Sequence, residues 1–319
     1  MTKIVGSGDY RYECVENWGK LPAGWSFKEI GAVGTDNNDN VYVFNRGEHP
    51  MIVFDKDGNF LKSWGEGVFP RAHGIFMAPD DTIWLTDDGD HTVRQCTLDG
   101  KILLTLGTPG KPAPFMSGQP FHRCTHTAMA PNGDIFVSDG YGNANVHKYD
   151  AKGRHLMTWG NSGTGPGEFN LVHNIVCDDD GWVYVADREN HRIQVFDSNG
   201  KYETQWNSLH RPCALFMTRG KCPLCYVGEL GPGMAVNRAY PNLGARISIL
   251  DQTGKRLAWI GGDHPGLGLG EFTAPHGICV DSSGDIYVGE VSWTNWPTTF
   301  PDQPRPDSPR CLHKFRKLN

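Results

Sequence analysis

NLVHNIVCDDDGWVYVADRENHRIQVFDSNGK, residues 170–201, contains three short apolar runs separated by turn residues. This pattern predicts three antiparallel β-strands joined by tight turns. His173 stands at the start of the first run, just ahead of Ile175 and Val176, where an aliphatic side chain would pack more easily. Related segments occur along the whole chain, and they suggest a role for this histidine.

Glycine turns recur after apolar strands, and their glycines lie 42 to 54 residues apart, at Gly58, Gly100, Gly153, Gly200 and Gly254. A second strand–turn–strand pattern precedes each of them. A period of this length with four strands per repeat is typical of a β-propeller blade. We count six blades; the last lacks a fourth strand, which YRYECVENW at residues 10–18 can supply by closing the ring. The sequence therefore predicts an all-β, six-bladed β-propeller with four-stranded antiparallel blades, and one domain over residues 1–319.

Composition excludes several classes of function. The formal net charge of −6 lacks the basic stripe of a nucleic-acid surface. No run of eighteen apolar residues predicts a membrane span, and the N-terminal residues do not resemble a leader, so a cytoplasmic protein is expected. Nine scattered cysteines form no disulfide framework. The lone pair Cys222 and Cys225 leaves metal or redox roles open, although buried thiols are the simpler interpretation.

Aligning the blades on their first turns gives one position per blade at the start of the innermost strand: Gly31, His73, Thr125, His173, Cys213 and His276. Histidine thus occupies alternate blades, about 120° apart around the axis. Three neutral imidazoles that converge in the channel would suit a catalytic zinc with an open fourth position, although another divalent metal would also fit. The alternative is a set of channel histidines that bind water or backbone groups.

Residues that follow the second strands should surround these histidines. Tyr141 could act as a proton acceptor, and Arg46 could bind an anionic group or support the tyrosine; packing of Tyr141 and an ion pair of Arg46 with Glu48 or Asp87 are the alternatives. His126 follows Thr125 and could face the same cavity. The other rim positions are Asp87, Asp88, Asp139, Asp187, Arg188, Glu229, Glu290 and Trp293, of which the repeated acidic residues are expected to be mostly structural.

The motifs resemble a known family. The blades are similar to NHL repeats, and most of the chain resembles the catalytic core of peptidyl-α-hydroxyglycine α-amidating lyase (PAL), on the strength of VFNRGEH 43–49, AHGIFM 72–77, VSDGYGN 137–143, VHNIVCDDDGWVYVADREN 172–190 and PHGICVDSSGDIYVGE 275–290. The resemblance implies that His73, His173 and His276 bind zinc, that Tyr141 is the catalytic base and that Arg46 is an active-site arginine. It also implies cleavage of a carbinolamide into an amide and an aldehyde.

Two departures from that family bear on function. Gly277 stands where the family has an acidic calcium ligand, so the residues do not support a structural calcium ion, and His126 stands where it has Asp. Because a cytoplasmic protein is not expected to process secreted peptide hormones, the substrate is expected to be a small molecule or short peptide. Two alternatives stay open: a metal-dependent hydrolase or hydratase with His126 as base, and a non-catalytic NHL interaction module.

Residues 295–309 form a proline-rich insertion, either a lid or an oligomer contact, and no oligomeric state is predicted.

Overall fold

Each repeat of the sequence folds into one antiparallel sheet, and the six sheets follow one another around a ring. This computed structural model describes residues 3–318, so the ends of the predicted domain, residues 1, 2 and 319, lie outside it. The chain is a six-bladed β-propeller of nearly all-β structure, and the predicted fold class is confirmed.

The first blades are built from strands near the N-terminus. The strands of this half are, in chain order, β1 (Ile4–Ser7), β2 (Tyr10–Val15), β3 (Ile30–Thr35), β4 (Val41–Asn45), β5 (Met51–Phe54), β6 (Phe60–Trp64), β7 (Ala72–Met77), β8 (Thr82–Asp87), β9 (Thr92–Thr97), β10 (Ile102–Leu106), β11 (Cys124–Met129), β12 (Ile135–Asp139), β13 (Asn145–Tyr149) and β14 (His155–Trp159). Blades one, two and three are β3–β6, β7–β10 and β11–β14.

The second half of the chain repeats the arrangement. Its strands are β15 (Asn161–Ser162), β16 (Glu168–Phe169), β17 (Val172–Cys177), β18 (Val183–Asp187), β19 (Arg192–Phe196), β20 (Tyr202–Trp206), β21 (Pro212–Met217), β22 (Cys225–Glu229), β23 (Arg246–Leu250), β24 (Arg256–Gly261), β25 (Pro275–Val280), β26 (Ile286–Glu290) and β27 (Leu312–Lys317). Blades four and five are β17–β20 and β21–β24, while the short β15 and β16 pair only with each other. Among the described residues, the helix α1 (Ser292–Thr299) and 3-10 turns at Arg188–Asn190 and Ala235–Asn237 complete the structure.

The sixth blade closes the ring with strands from both ends of the chain. Three of its strands are β25, β26 and β27, and β2 pairs antiparallel with β27, placing Cys14 opposite Phe315. The predicted closure by the N-terminal strand is confirmed. A further strand, β1, pairs with the outer side of β2 and was not predicted. Pairing of the two ends covers the edge that β27 would otherwise expose.

The hydrophobic core lies between neighbouring blades. Phe44 and Met51 of blade one, for example, pack with Ile75 and Leu85 of blade two. The first strand of each blade lies innermost and contacts the first strands of both neighbours, whereas the fourth strands are partly exposed. The nine cysteines are free thiols, seven of them buried, with Cys222 on the surface. No helix among residues 3–318 is long and apolar enough to cross a membrane.

Candidate active site

Every innermost strand carries a β-bulge at the position that aligns with His173. In blade four, Val172 pairs with Asp187 and Asn174 with Ala186, so His173 has no partner across the ladder. The same register shift falls at the five equivalent positions, Gly31, His73, Thr125, Cys213 and His276. A bulge re-aims the side chain of its extra residue. The six positions aligned from the sequence are therefore structurally equivalent.

The three histidines at these positions form one compact group. His73, His173 and His276 are buried, and each offers a ring nitrogen within 4.8 Å of those of the other two. Their ring centroids lie 4.6 to 5.0 Å apart. Alternate blades thus bring together the three residues predicted to be ligands.

Each histidine is oriented by a backbone carbonyl of the next blade around the ring. His73 Nδ1 lies 2.6 Å from the Thr125 carbonyl oxygen, and the corresponding Nδ1–oxygen distance is 2.7 Å both for His173 with Cys213 and for His276 with Gly31. A carbonyl can only accept, so Nδ1 carries the proton in all three rings. The even-numbered blades thus carry the three histidines, and the odd-numbered blades supply the carbonyl groups that orient them.

The donor chemistry fits a divalent metal. With Nδ1 protonated, each neutral imidazole keeps a lone pair on Nε2, and a carbonyl partner at Nδ1 is the usual support of a metal-bound histidine. Burial lowers the pKa of all three histidines well below the usual value, and for His73 the two neighbouring imidazoles lower it further. The low pKa favours the neutral form of the ring, which is the form that binds metal.

Tyr141 lies against two of the three histidines. Its hydroxyl oxygen is 3.2 Å from Nε2 of His73 and 3.0 Å from Nε2 of His173. The residue follows β12 in a Gly-Tyr-Gly loop that needs its first glycine, because a Cβ atom at Gly140 would overlap the Val172 carbonyl group. Burial raises the pKa of the Tyr141 phenol, and the positive charge of Arg188 opposes that rise.

Arg46 is buried on the same side of the channel as Tyr141. Its Nε donates to the Ala72 carbonyl at 2.8 Å, and its Nη1 pairs with Glu29 at 2.9 Å. The partner is therefore Glu29, rather than the Glu48 or Asp87 considered from the sequence. Nη2 is buried and has no hydrogen-bond partner among residues 3–318, so in this part of the chain one donor of the guanidinium group remains free at the edge of the cavity.

These residues open onto a cavity of about 180 Å³, whose lining includes Arg46, Tyr141 and His276. The start of α1 forms part of its wall through Thr294 and Asn295, and Thr294 is fixed by hydrogen bonds of 2.7 Å from its backbone nitrogen and its hydroxyl to Glu29. The first turn of α1, the helix in which the proline-rich insertion begins, thus contributes to the site. Trp293, expected at the rim, instead stacks with Arg305.

Three arginines of the cavity were not identified from the sequence: Arg71, Arg123 and Arg211. Each stands two residues before a bulge position, those of His73, Thr125 and Cys213, and that constant offset is the signal by which they could have been found. They join Arg46 and Arg188, which each follow a second strand by one residue.

Shared carboxylates hold four of these arginines. Asp88 accepts from Arg71 and Arg123, both at 2.7 Å, through the same oxygen. Arg123 also lies over the ring of Tyr141, with its guanidinium carbon 4.6 Å from the ring centroid.

Glu189 binds Arg188 at 2.7 Å and Arg211 at 3.0 Å in the same manner. Two guanidinium groups per carboxylate leave a positive excess on each side of the tyrosine.

The repeated acidic residues after the second strands have a structural role, as expected. They accept backbone N–H groups from the segment that enters the same blade: Asp87 from Arg71, Asp139 from His122, Asp187 from Asn170, Glu229 from His210 and Glu290 from Thr273. These bonds fix the loops that carry the cavity residues.

His126 does not face this cavity, contrary to the expectation from its neighbour Thr125. It lines a larger cavity of about 480 Å³ at the other end of the innermost strands, together with Ile75 and Leu215. Burial lowers the pKa of His126 to about 4, and its Nδ1 has no hydrogen-bond partner. Consecutive residues of a strand project in opposite directions, which explains the separation.

Gly277, which replaces the acidic calcium ligand of the resembling family, is enclosed by blade one. A Cβ atom built there would lie 2.5 Å from Cα of Ala32. The sixth and first blades pack so closely at this point that any residue other than glycine would require a shift of the backbone.

Comparison with known proteins agrees with this architecture. The NHL repeat model matches residues 169–196 and 272–296. Mouse NHL repeat-containing protein 3 is 33% identical over 267 residues, covering 80% of this chain and 74% of the relative. Peptidyl-alpha-hydroxyglycine alpha-amidating lyase 1 of Drosophila melanogaster is 31% identical over 263 residues, covering 74% of this chain and 45% of the lyase.

Among solved structures, virginiamycin B lyase from Staphylococcus aureus superimposes with a TM-score of 0.56 at 15% identity, covering 97% of this chain and 88% of that chain, a likeness of fold alone. The chain covers 60% of the length of human NHL repeat-containing protein 3 and 33% of that of rat peptidylglycine alpha-amidating monooxygenase. The chain belongs to the family of NHL-repeat propellers that includes NHL repeat-containing protein 3, and α-amidating lyases are among its homologues.

Proposed function

We propose that this chain is a metal-dependent lyase that cleaves a C–N or C–O bond at a hydroxylated carbon of a small molecule or short peptide. The observation that carries the proposal is the Tyr141 hydroxyl, within 3.2 Å of Nε2 of both His73 and His173. A tyrosine beside a metal-binding group can, in its phenolate form, remove the proton of a substrate hydroxyl whose oxygen is polarised at the same time. The homology to α-amidating lyases supports this reaction type.

The metal would be held by Nε2 of His73, His173 and His276. We propose zinc, because three neutral imidazole ligands with an open position are typical of catalytic zinc sites. A zinc ion held there would act as a Lewis acid toward the substrate hydroxyl oxygen, and its charge would favour the phenolate form of Tyr141.

Tyr141 has two tasks in this proposal, first as base and then as acid. It takes the proton of the substrate hydroxyl, and the electron pair of that O–H bond becomes the second bond of a carbonyl group. The electron pair of the C–N bond leaves with the nitrogen, which then takes the proton back from Tyr141. The products are an amide and an aldehyde, and the tyrosine returns to its starting state.

Arg46 and Arg188 assist the tyrosine by charge. Both guanidinium groups favour the phenolate form of Tyr141, against the burial that disfavours it. The free Nη2 of Arg46 can in addition donate a hydrogen bond to an anionic part of the substrate. The cavity of about 180 Å³ is smaller than the ~300 Å³ at which ordinary ligand pockets begin. The reacting part of the substrate is therefore small.

The test is the metal content of the purified protein, measured by elemental analysis without a polyhistidine tag. We expect close to one zinc per chain in the wild type and its loss in His173→Ala. His126→Ala is the matched control, because it also removes a buried imidazole but from the other cavity, and it should keep the metal. A wild-type protein without stoichiometric metal would refute the proposal and leave the non-catalytic NHL module as the better interpretation.

Activity separates the lyase from the hydrolase or hydratase. Release of aldehyde from a carbinolamide should require Tyr141 and not His126. Hydrolysis that survives Tyr141→Phe but is lost in His126→Ala would reverse the assignment, although His126 lies at the far end of the channel.

A further inference from the structure

We infer that the cavity takes a substrate with two negative charges, a small dicarboxylate or a phosphate monoester. This inference deepens the proposed function and rests on it for the reaction, but not for the binding. It starts from the five guanidinium groups that line one cavity of about 180 Å³, those of Arg46, Arg71, Arg123, Arg188 and Arg211.

The carboxylates around the cavity do not neutralise these arginines. Asp88 and Glu189 each bind two guanidinium groups, and Glu29 binds one. Five positive groups against three negative ones leave an excess of two positive charges on the side chains at the mouth of the channel, before the charge of any bound metal is added, in a chain whose formal net charge is −6. A ligand with two negative charges compensates this excess of the side chains.

The arginines have donors available for such a ligand. Arg46 Nη2 is buried without a partner, and the side chains of Arg71 and Arg123 are 33% and 37% exposed despite their ion pairs. Guanidinium groups present planar pairs of N–H donors that match carboxylate and phosphate oxygens. The side chains come from blades one, two, three, four and five, so they encircle the ligand rather than form a flat surface patch.

Two of the cavity arginines lie beside the tyrosine that is proposed to act as the base. Arg123 and Arg188 flank Tyr141, with their guanidinium carbons 4.6 and 5.8 Å from the centre of its ring. The anionic groups would therefore sit close to the carbon that carries the hydroxyl. A second anionic group distinguishes this substrate from one with a single carboxylate, for which Arg46 and Arg188 alone would suffice.

The test measures binding by titration calorimetry, with succinate and inorganic phosphate as probes and acetate as the monoanionic comparison. Arg123→Gln and Arg211→Gln each remove one cation but leave the shared carboxylate paired with its other arginine, so neither creates a lone buried charge. Arg154→Gln is the control, because Arg154 is an exposed arginine paired with Asp150 on a hairpin turn away from the cavity. Elemental analysis of each variant reports the metal separately.

We expect at least one dianion to bind about tenfold or more tightly than acetate, and each cavity variant to weaken it by about tenfold, in line with a lost charged hydrogen bond. Arg154→Gln should leave the affinity unchanged. Preference for succinate would identify a dicarboxylate and preference for phosphate a phosphate ester.

The inference would be overturned if succinate and phosphate bind no better than acetate. It would also be overturned if Arg123→Gln and Arg211→Gln leave the affinity for the dianion unchanged. The metal measurement and the role of Tyr141 would be unaffected by that result, so failure of this inference and failure of the proposed reaction are distinguishable.

Discussion

Replacement of Tyr141 by phenylalanine tests the proposed chemistry most directly. The change removes one oxygen and keeps the ring between Arg123 and Arg188, so the packing of the cavity should persist. Within residues 3–318, the hydrogen-bond partners of the Tyr141 hydroxyl group are Nε2 of His73 and Nε2 of His173. Loss of a single hydrogen bond costs about 1 kcal/mol of stability, which is a few degrees of melting temperature at most.

The effect on turnover should be far larger than the effect on stability. Positioned general acid–base groups contribute about 10²- to 10⁴-fold to rate, so kcat should fall by that factor, which is about 3 to 5 kcal/mol of barrier. The assay follows aldehyde release from a carbinolamide under saturating conditions, with metal content determined on the same sample. The variant should retain its metal, because all three histidines and their carbonyl partners are untouched.

His126→Ala provides the comparison, since it removes a polar ring that lies in the other cavity. Its kcat should match that of the wild type. A Tyr141→Phe variant that keeps more than about a tenth of the activity with full metal content would refute the role of the tyrosine, because general acid–base groups of this kind contribute at least about 10²-fold.

Three further predictions concern the framework of the site. Gly140→Ala should lower the melting temperature and the activity together, because its Cβ atom would overlap the Val172 carbonyl and displace the loop that carries Tyr141; circular dichroism and turnover would check this, and unchanged activity would contradict it. Phe315→Ala should cost about 3 to 5 kcal/mol in denaturant unfolding, because Phe315 is fully buried where the ring closes. Chelator treatment should lower the melting temperature of the wild type and leave that of His173→Ala unchanged, as measured by scanning calorimetry.

The fold could be predicted from the sequence because its signals are local and repeated. Glycine turns at a period in the forties and short alternating strands define the blades without knowledge of distant contacts. The same repetition made it possible to align His73, His173 and His276, and each of these positions is a β-bulge. The bulge itself was not foreseen, although it explains why one residue per blade leaves the regular alternation.

The parts that escaped prediction depend on contacts between distant segments. The pairing of Arg46 with Glu29 joins residues of neighbouring loops, and the sharing of Asp88 by two arginines requires two blades in register. The prediction that His126 faces the active-site cavity is wrong because neighbours in sequence need not face the same cavity: Thr125 occupies the bulge, whereas His126 pairs with Ser138 in the ladder and lines the other cavity. The outer strand β1 likewise has no repeat partner in the sequence that could reveal it.

The contacts of the three histidines tie the proposed metal site to the integrity of the whole ring. Each Nδ1 reaches the carbonyl of the following blade, so all six blades take part in holding three rings in place. The bond from His276 to Gly31 joins blade six, in which the two ends of the chain pair, to blade one. We therefore expect that disruption of blade six also weakens the contact that orients His276, a proposed ligand. By linkage, a metal present at 1,000 times its dissociation constant would stabilise the closed ring by about 4.1 kcal/mol, so the site and the closure should strengthen each other.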